Sequence, residues 1–452
     1  MPDVAFSQKV IEAVTENIIA IKNLELFVQD QALIDGCWIK RKETFKVYEP
    51  STAQVLRTVA NCDLKDVHSA IESANVARKK YYSSTTAAQR GSLLRKWHNL
   101  VIENVEDLGR ILYLENGKTI NEARGEVAYA ASFITWFTEE ATRSYSDTIP
   151  SSTPNTVVMT MKEPVSVCGI VTLWNFPAAI ISRKVAPALA VRCSVVIKPP
   201  SETPFTCLAL TKLAIKAGFP GEVIQVCPTK NRQVASELAT HPLIRKISFT
   251  RSTNVGKNLA KIASRTLKKV SLELGANAPF IVFEDADVDL AIEGAMLCKF
   301  RCSGQTYTCA NRIYVQRGIL DEFTQRLVQK ASELRLGPGI EESYTQGPLV
   351  NASAVDKVKR HIEDAVSKGA SIEIGGSAPE VDRFFIQPTV LSGVTADMVV
   401  SQDKTFGPLA PIFPFDTKHK VVELANKTEF GLARYFFSRK VGRVMHARGT
   451  RA

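Results

Sequence analysis

The chain has 452 residues, 45% hydrophobic and 23% charged, with a formal net charge of +11. That balance fits two or three folded domains and excludes a disordered or low-complexity chain. No apolar run reaches the ~18–20 residues of a membrane helix, and Arg439, Lys440, Arg443, Arg448 and Arg451 crowd the last fourteen positions without an acid. Five of the eleven excess charges are therefore local, and the rest are spread out without the interleaved aromatics of a nucleic-acid surface, so neither nucleic acid nor membrane is expected as a partner.

The N-terminal stretch MPDVAFSQKVIEAVTENIIA carries Asp3, Glu12 and Glu16 where a signal peptide would run from basic to apolar. An untargeted, cytoplasmic protein is the expectation. From 64 to 140 the pattern is helical: Val67, Ala70, Ile71, Ala74 and Ala77 make an apolar stripe, and a longer periodic stretch stops at Gly117. Residues 144–164 turn to Ser, Thr and Pro and then to β-branched residues, which predicts a protruding hairpin. From 165 strands and helices alternate: VSVCGIVTLW, SVVIK, VIQV, IRKISFT and KKVSLEL are separated by helical segments. Such alternation builds a parallel sheet with helices on both faces, which binds nucleotides at the carboxyl ends of its strands. A second α/β series starts at APFIVFEDADVDLAIEGAML and continues through NRIYVQ, FFIQPTVL and LAPIFPF.

Nine cysteines lie between Cys37 and Cys309 without a C-x-x-C pair, as in a reduced compartment. Cys298 and Cys302 are four apart, but no His lies near them in sequence, so no metal is expected.

Six stretches in this order resemble the aldehyde dehydrogenase superfamily: LWNFPAAIISRKVAPALA, IKPPSETPFTCLAL, ISFTRSTNVGK, VSLELGANAPFIVFEDADVD, KFRCSGQTYTCANRIYVQ and KTFGPLAPIF. Within it, GEVAYAASFITWFTEEA, SDTIPS and KFR resemble the branch that oxidises succinic semialdehyde. The resemblance implies two doubly wound α/β units. A dinucleotide-binding domain would cover 1–143 and 163–274, an oligomerisation hairpin 144–162, and a catalytic domain 275–452. It implies NADP or NAD as hydride acceptor, an aldehyde with a distal carboxylate as substrate, a homo-oligomer, and a place in GABA catabolism.

In that family a Cys thiolate attacks the carbonyl, hydride leaves to the nicotinamide, and water releases the acyl group. Asn175 matches the oxyanion donor and Glu273 the general base. Lys198 matches the ribose-contacting lysine. Ser201 stands where NAD-preferring relatives carry Glu; a carboxylate would repel a 2′-phosphate, so NADP is favoured. Ser252 opens a helix suited to a pyrophosphate. Trp174, Leu274 and Phe406 fall at further cofactor-contacting positions, and Arg183 and Arg301 match arginines that hold the substrate carboxylate.

The chain departs from the family at several places. Tyr307 holds the position of the nucleophilic Cys, Arg251 and Ala276 replace glycines, and Lys404 replaces a ribose-binding Glu. The tail VGRVMHARGTRA does not resemble the family's continuation, so a truncated catalytic domain and weakened oligomers are expected. A phenol with pKa ~10 is a poorer nucleophile than a thiol at ~8.5. Cys309 is two residues on, a shift of ~6.5–7 Å, too far for attack at ~3–3.5 Å, which makes it a poor substitute. The expectation is an aldehyde dehydrogenase by descent whose activity is low or lost; the alternative is a non-catalytic nucleotide-binding or interaction protein on the same fold.

Overall fold

The computed structural model describes residues 15–16, 18–378 and 384–449. Most of the stretch read for targeting, and the last three residues of the basic tail, lie outside the described residues.

Four short strands come first: β1 (Gln31–Ile34), β2 (Cys37–Lys40), β3 (Thr44–Tyr48) and β4 (Val55–Ala60). The helices Leu64–Ser84, Ala87–Glu103, Val105–Asn116 and Ile120–Glu140 follow. Three of them open on capping boxes built by Asp63 with Asp66, Thr86 with Gln89, and Thr119 with Glu122, which satisfy N–H groups that a helix start leaves free. The long periodic stretch after residue 86 is two helices, broken at Asn104 and stopped at Gly117. Gly117 adopts φ +82°, and a Cβ there would lie 2.8 Å from Pro348 Cγ. Only glycine meets both demands.

Residues 144–162 carry β5 (Thr148–Ile149) and β6 (Val158–Met159), an exposed antiparallel pair. The main sheet uses β7 (Val167–Val171), β8 (Ser194–Lys198), β9 (Ile224–Val226), β10 (Ile244–Thr250) and β11 (Lys269–Glu273), in the order β11-β10-β7-β8-β9-β1-β2. The five are parallel, and β1 and β2 add an antiparallel edge. Successive residues point to opposite faces. Cys168 and Ile170 join the core under the helices of 87–140, while Val167 and Val171 join the core under Leu64–Ser84 and Gln233–Thr240.

The second sheet has six strands: β12 (Ala278–Val282), β13 (Ala310–Gln316), β14 (Ser371–Ile374), β15 (Thr389–Ser392), β16 (Leu409–Phe415) and β17 (Tyr435–Phe437). Its order is β14-β15-β16-β13-β12-β17, and β14 alone runs antiparallel to its neighbour. Phe280 and Val282 pack under Val288–Phe300 and Leu320–Ser332, and Ile281 and Phe283 under Ala352–Ser367 on the other face. The fold is thus α/β, with two sheets each covered on both sides. The tail read as patternless is helical over Val441–Gly449. It docks through Arg443, which pairs with Asp285 at 2.6 Å and stacks over Phe283. The cause is simple: the anchoring Asp285 lies 158 residues upstream, where no local pattern shows it.

Candidate active site

The first sheet's chain starts at β7, moves outward through β8 and β9, then crosses back to β10 and β11. The switch between β7 and β10 leaves a crevice beyond their carboxyl ends, the usual ligand position in such sheets. A cavity of about 1070 Å³ opens there, closed on the other side by loops of the second sheet. Trp174 reaches it from β7, Arg251 and Ser252 from β10, and Glu273 and Leu274 from β11. Tyr307, Lys404 and Phe406 line it from the second sheet's side.

The Trp174–Phe176 corner is held from below. Pro177–Ala190 has no side-chain cap of its own; instead Glu126 Oε1 accepts the Ala178 and Ala179 N–H groups at 2.8 and 3.3 Å. Its other oxygen meets Lys118 Nζ, which also donates to the Asn175 carbonyl. Glu115 caps Phe205–Ala217 in the same way through the Phe205 and Thr206 N–H groups, and Glu122 accepts the Cys302 N–H. A buried carboxylate is tolerated where donors surround it. These positioning acids escaped the sequence reading. Their signal was faint: acids at helical spacing, 115, 122 and 126, in a region read only for its apolar stripe.

On the dinucleotide side, Ser252 is the N-cap of Thr253–Ala263 and makes no side-chain capping bond. The helix N–H groups keep their capacity for an anion. Leu274 packs on Gly256, where a Cβ would fall 2.3 Å from Leu274 Cδ2. Lys198 and Ser201 are set back from the cavity wall. Burial, then the charge of Arg251, pull the Lys198 ammonium down to about 8. Ser201 Oγ donates to Glu202 at 3.1 Å, and Glu202 faces Arg251 at 3.9 Å. The acid next to Ser201 is thus offset by a cation.

On the opposite side the groups are bonded to one another. Tyr307 OH accepts from Arg183 Nη1 at 3.3 Å, and the guanidinium lies 5.3 Å from its ring centroid. Phe176 meets the same ring edge-on. Arg183 also pairs with Glu273, whose carboxylate further takes Lys184 Nζ at 3.3 Å and the Thr250 hydroxyl at 3.0 Å. Arg183 is therefore engaged with the base position. Arg301 is exposed and lies over Phe176, 5.4 Å from its centroid. Lys404 Nζ donates to the Tyr307 carbonyl at 3.4 Å and sits over the Phe406 ring, which in turn meets Trp174 edge-on. Burial pulls Lys404 down to about 8.

Asn175 is not presented to the cavity as the oxyanion reading supposed. It is 1% exposed, and its Nδ2 donates to the Gln305 carbonyl at 2.9 Å. The reason is the path of the 301–306 segment: Cys302, Ser303 and Gly304 all take positive φ. A Cβ on Gly304 would lie 2.2 Å from the Gly407 carbonyl oxygen. The turn brings the Gln305 carbonyl onto Asn175. Both nearby thiols are sealed. Cys309 is fully buried, 3.4 Å from Lys299 Nζ, and burial pushes the Cys302 thiol up to about 12.

The residues of the crevice fit a dinucleotide at one end and not at the other. The uncapped helix start at Ser252, with Lys198 and Arg251 beside it, suits an anionic phosphate and ribose. Lys404 has no acceptor to offer ribose hydroxyls.

Residues 38–450 match the aldehyde dehydrogenase family. The match reaches into the tail that had been read as foreign to the family. The chain is 50% identical over 420 residues to a 3-sulfolactaldehyde dehydrogenase of Pseudomonas putida, covering 92% of this chain and 86% of that protein. It is 47% identical over 426 residues to an NADP(+) succinate-semialdehyde dehydrogenase of Escherichia coli (strain K12), covering 94% and 88%. A crystal structure of succinate-semialdehyde dehydrogenase from Burkholderia pseudomallei superposes with a TM-score of 0.93 at 46% identity, covering 95% of this chain and 89% of that one.

Proposed function

The chain belongs to the aldehyde dehydrogenase family, and from that premise we propose that it binds NADP in preference to NAD but turns over aldehydes negligibly. By descent its substrates are small aldehydes carrying a distal anion, with succinic semialdehyde the leading case. The relatives' names support that class, since one acts on a sulfonated aldehyde and another on a carboxylated one. Arg183 and Arg301 are the cations that would meet such an anion.

The observation that carries the reading is the contact of Arg183 with both Tyr307 and Glu273. The nucleophile position holds a phenol larger than the thiol it replaces, and the base position is ion-paired to the arginine expected to hold substrate. NADP, when bound, supplies the hydride acceptor. The chain's own groups do the rest: Ser252 and the helix start receive phosphate, Lys198 and Ser201 face the ribose end, and Trp174, Leu274 and Phe406 wall the crevice. On this reading 1–143 with 163–274 is the dinucleotide-binding unit and 275–452 the unit that once carried the covalent step. The hairpin 144–162 pairs copies of the chain in a homo-oligomer.

Two measurements on the full chain test this. Trp174 borders the site, so quenching of tryptophan fluorescence should report NADP binding. NADP reduction with succinic semialdehyde should be at background. Robust turnover that disappears in Cys309→Ala would overturn the reading and make Cys309 the nucleophile. Failure to bind NADP at millimolar concentration would overturn the binding half.

A further inference from the structure

Two of the chain's six histidines meet at one carboxylate, far from the cavity. His68 lies in the second turn of Leu64–Ser84. Glu237 and His241 are four apart, on the last turn and the C-cap of Gln233–Thr240, a spacing that places both on one side of a helix end. His68 Nε2 stands 2.9 Å from Glu237 Oε1. The two imidazole rings are 5.5 Å apart, tilted by 46°. One ligand-capable atom from each of the three residues lies within 4.8 Å of the other two.

We propose that His68, Glu237 and His241 form a binding site for a divalent transition-metal ion of zinc type, with an open position left for water. Two imidazoles and one carboxylate are a donor set that such ions accept, at ~2.0–2.2 Å per bond. Tetrahedral ligands at that radius stand ~3.4 Å apart, so atoms up to 4.8 Å apart close by at most about 1.4 Å and the 2.9 Å His68–Glu237 pair opens by about 0.5 Å, which staggered side-chain adjustments allow. His68 is half-exposed and free to make that move. His241 Nδ1 lies 3.3 Å from the Leu243 N–H as its acceptor. That bond leaves the proton on Nε2, so ligation through Nε2 requires the ring to take the Nδ1–H tautomer and give up the Leu243 contact, a cost on the order of 1 kcal/mol. Glu72 adds a second negative charge nearby, while Lys268 opposes it; Lys268 also donates to the His241 and Ile244 carbonyls.

The site ties the helix Leu64–Ser84 to Gln233–Thr240 just ahead of β10. The cavity lies at the other end of that strand, which is seven residues long, roughly 20 Å away. The ion would therefore act as a staple between covering helices, without a part in the cavity's chemistry. Without a metal, His68 and Glu237 are a surface ion pair of little energetic weight.

The untagged full chain is titrated with CoCl2 and followed by visible absorption, and its thermal unfolding is measured with and without ZnCl2. The expected result is one equivalent of Co2+ bound with a tetrahedral-type spectrum free of thiolate charge transfer, and a higher Tm with zinc. His68→Ala and His241→Ala should each weaken Co2+ binding by about tenfold or more and abolish the zinc-dependent Tm rise. His68→Ala decides if His241→Ala does not fold, because His68 is half-exposed. No Co2+ binding at millimolar metal would overturn the proposal. So would binding that survives both substitutions, or a thiolate band that disappears in Cys37→Ser, which marks the exposed Cys37 as the ligand.

Discussion

The two rims of the cavity differ in what their side chains are doing. On the β7–β11 rim, Ser252 caps nothing with its side chain and the helix start beside it keeps its donors. On the closed rim, where Tyr307 and Lys404 of the second sheet's side meet Arg183 and Glu273 of the first, the groups bind one another. A rim built for a ligand keeps unsatisfied donors, because the ligand supplies the missing partners. A rim that has satisfied its own donors must break those contacts before anything else can bind. The difference teaches that one cavity can hold free donors at one end and mutually satisfied groups at the other.

The largest effect should come from reopening the closed rim. Tyr307→Cys alone should leave NADP reduction close to background. Tyr307→Cys with Lys404→Glu should exceed that single variant by roughly a hundredfold or more, the scale of restoring charge-matched groups at a reaction centre. Steady-state rates with succinic semialdehyde check this, and equal rates for the two variants would mean the closed rim is not what limits turnover.

Next in size is the buried charge on the same rim. Lys404 is held near 8 by burial, below the ~10.4 of an exposed lysine. Its buried ammonium therefore costs stability at neutral pH. As pH rises above 8 the folded chain releases this proton before the unfolded chain does, so stability recovers until about pH 10. Lys404→Met should be more stable than the parent at pH 7, by about 1 kcal/mol, since the ammonium borders the cavity and is partly solvated. The gap should narrow between pH 8 and 10. Urea unfolding at pH 7, 8.5 and 10 measures it; a gap that widens with pH would refute the burial argument.

The open rim yields smaller changes. Ser201→Glu should reverse the order of NADP and NAD affinities, moving their ratio by about tenfold, a cost of ~1.4 kcal/mol for a carboxylate facing a 2′-phosphate. Fluorescence titration with both dinucleotides decides it, and an unchanged ratio would remove Ser201 from the cofactor site. Smallest is Arg251→Gly. Arg251 is half-exposed, so losing its cation should weaken NADP binding only a few-fold, and mainly at low salt. A weakening that is equal at all salt concentrations would point to a steric role instead.

Much of the frame was legible in the residues. The stripes of 64–140 and the apolar runs of 165–273 gave helices and parallel strands, because hydrophobic periodicity is a local consequence of which face is buried. The family motifs carried the candidate site positions. One miss was avoidable: QALIDGCWIK holds Asp35-Gly36 between two short apolar segments, the signal for the hairpin β1–β2. Read as part of an undivided N-terminal region, it was passed over. β14 and β17 were missed for a different reason: SIEI and YFF are short and half-exposed, so their periodicity is too brief to stand out.

What the sequence alone determined is most of the elements and the family. Which groups meet was decided only by the tertiary structure. Glu126 caps a helix that begins 51 residues later, Arg183 reaches Tyr307 across 124 positions, and His68 finds Glu237 across 169. Local propensity fixes where a helix starts and which face it buries. It carries no information on which distant side chain will lie opposite a given acid or imidazole. That pairing follows from the order of strands in the sheet, and here the return from β9 to β10 set the reaction rim, the phosphate-facing helix start and the two histidines in place together.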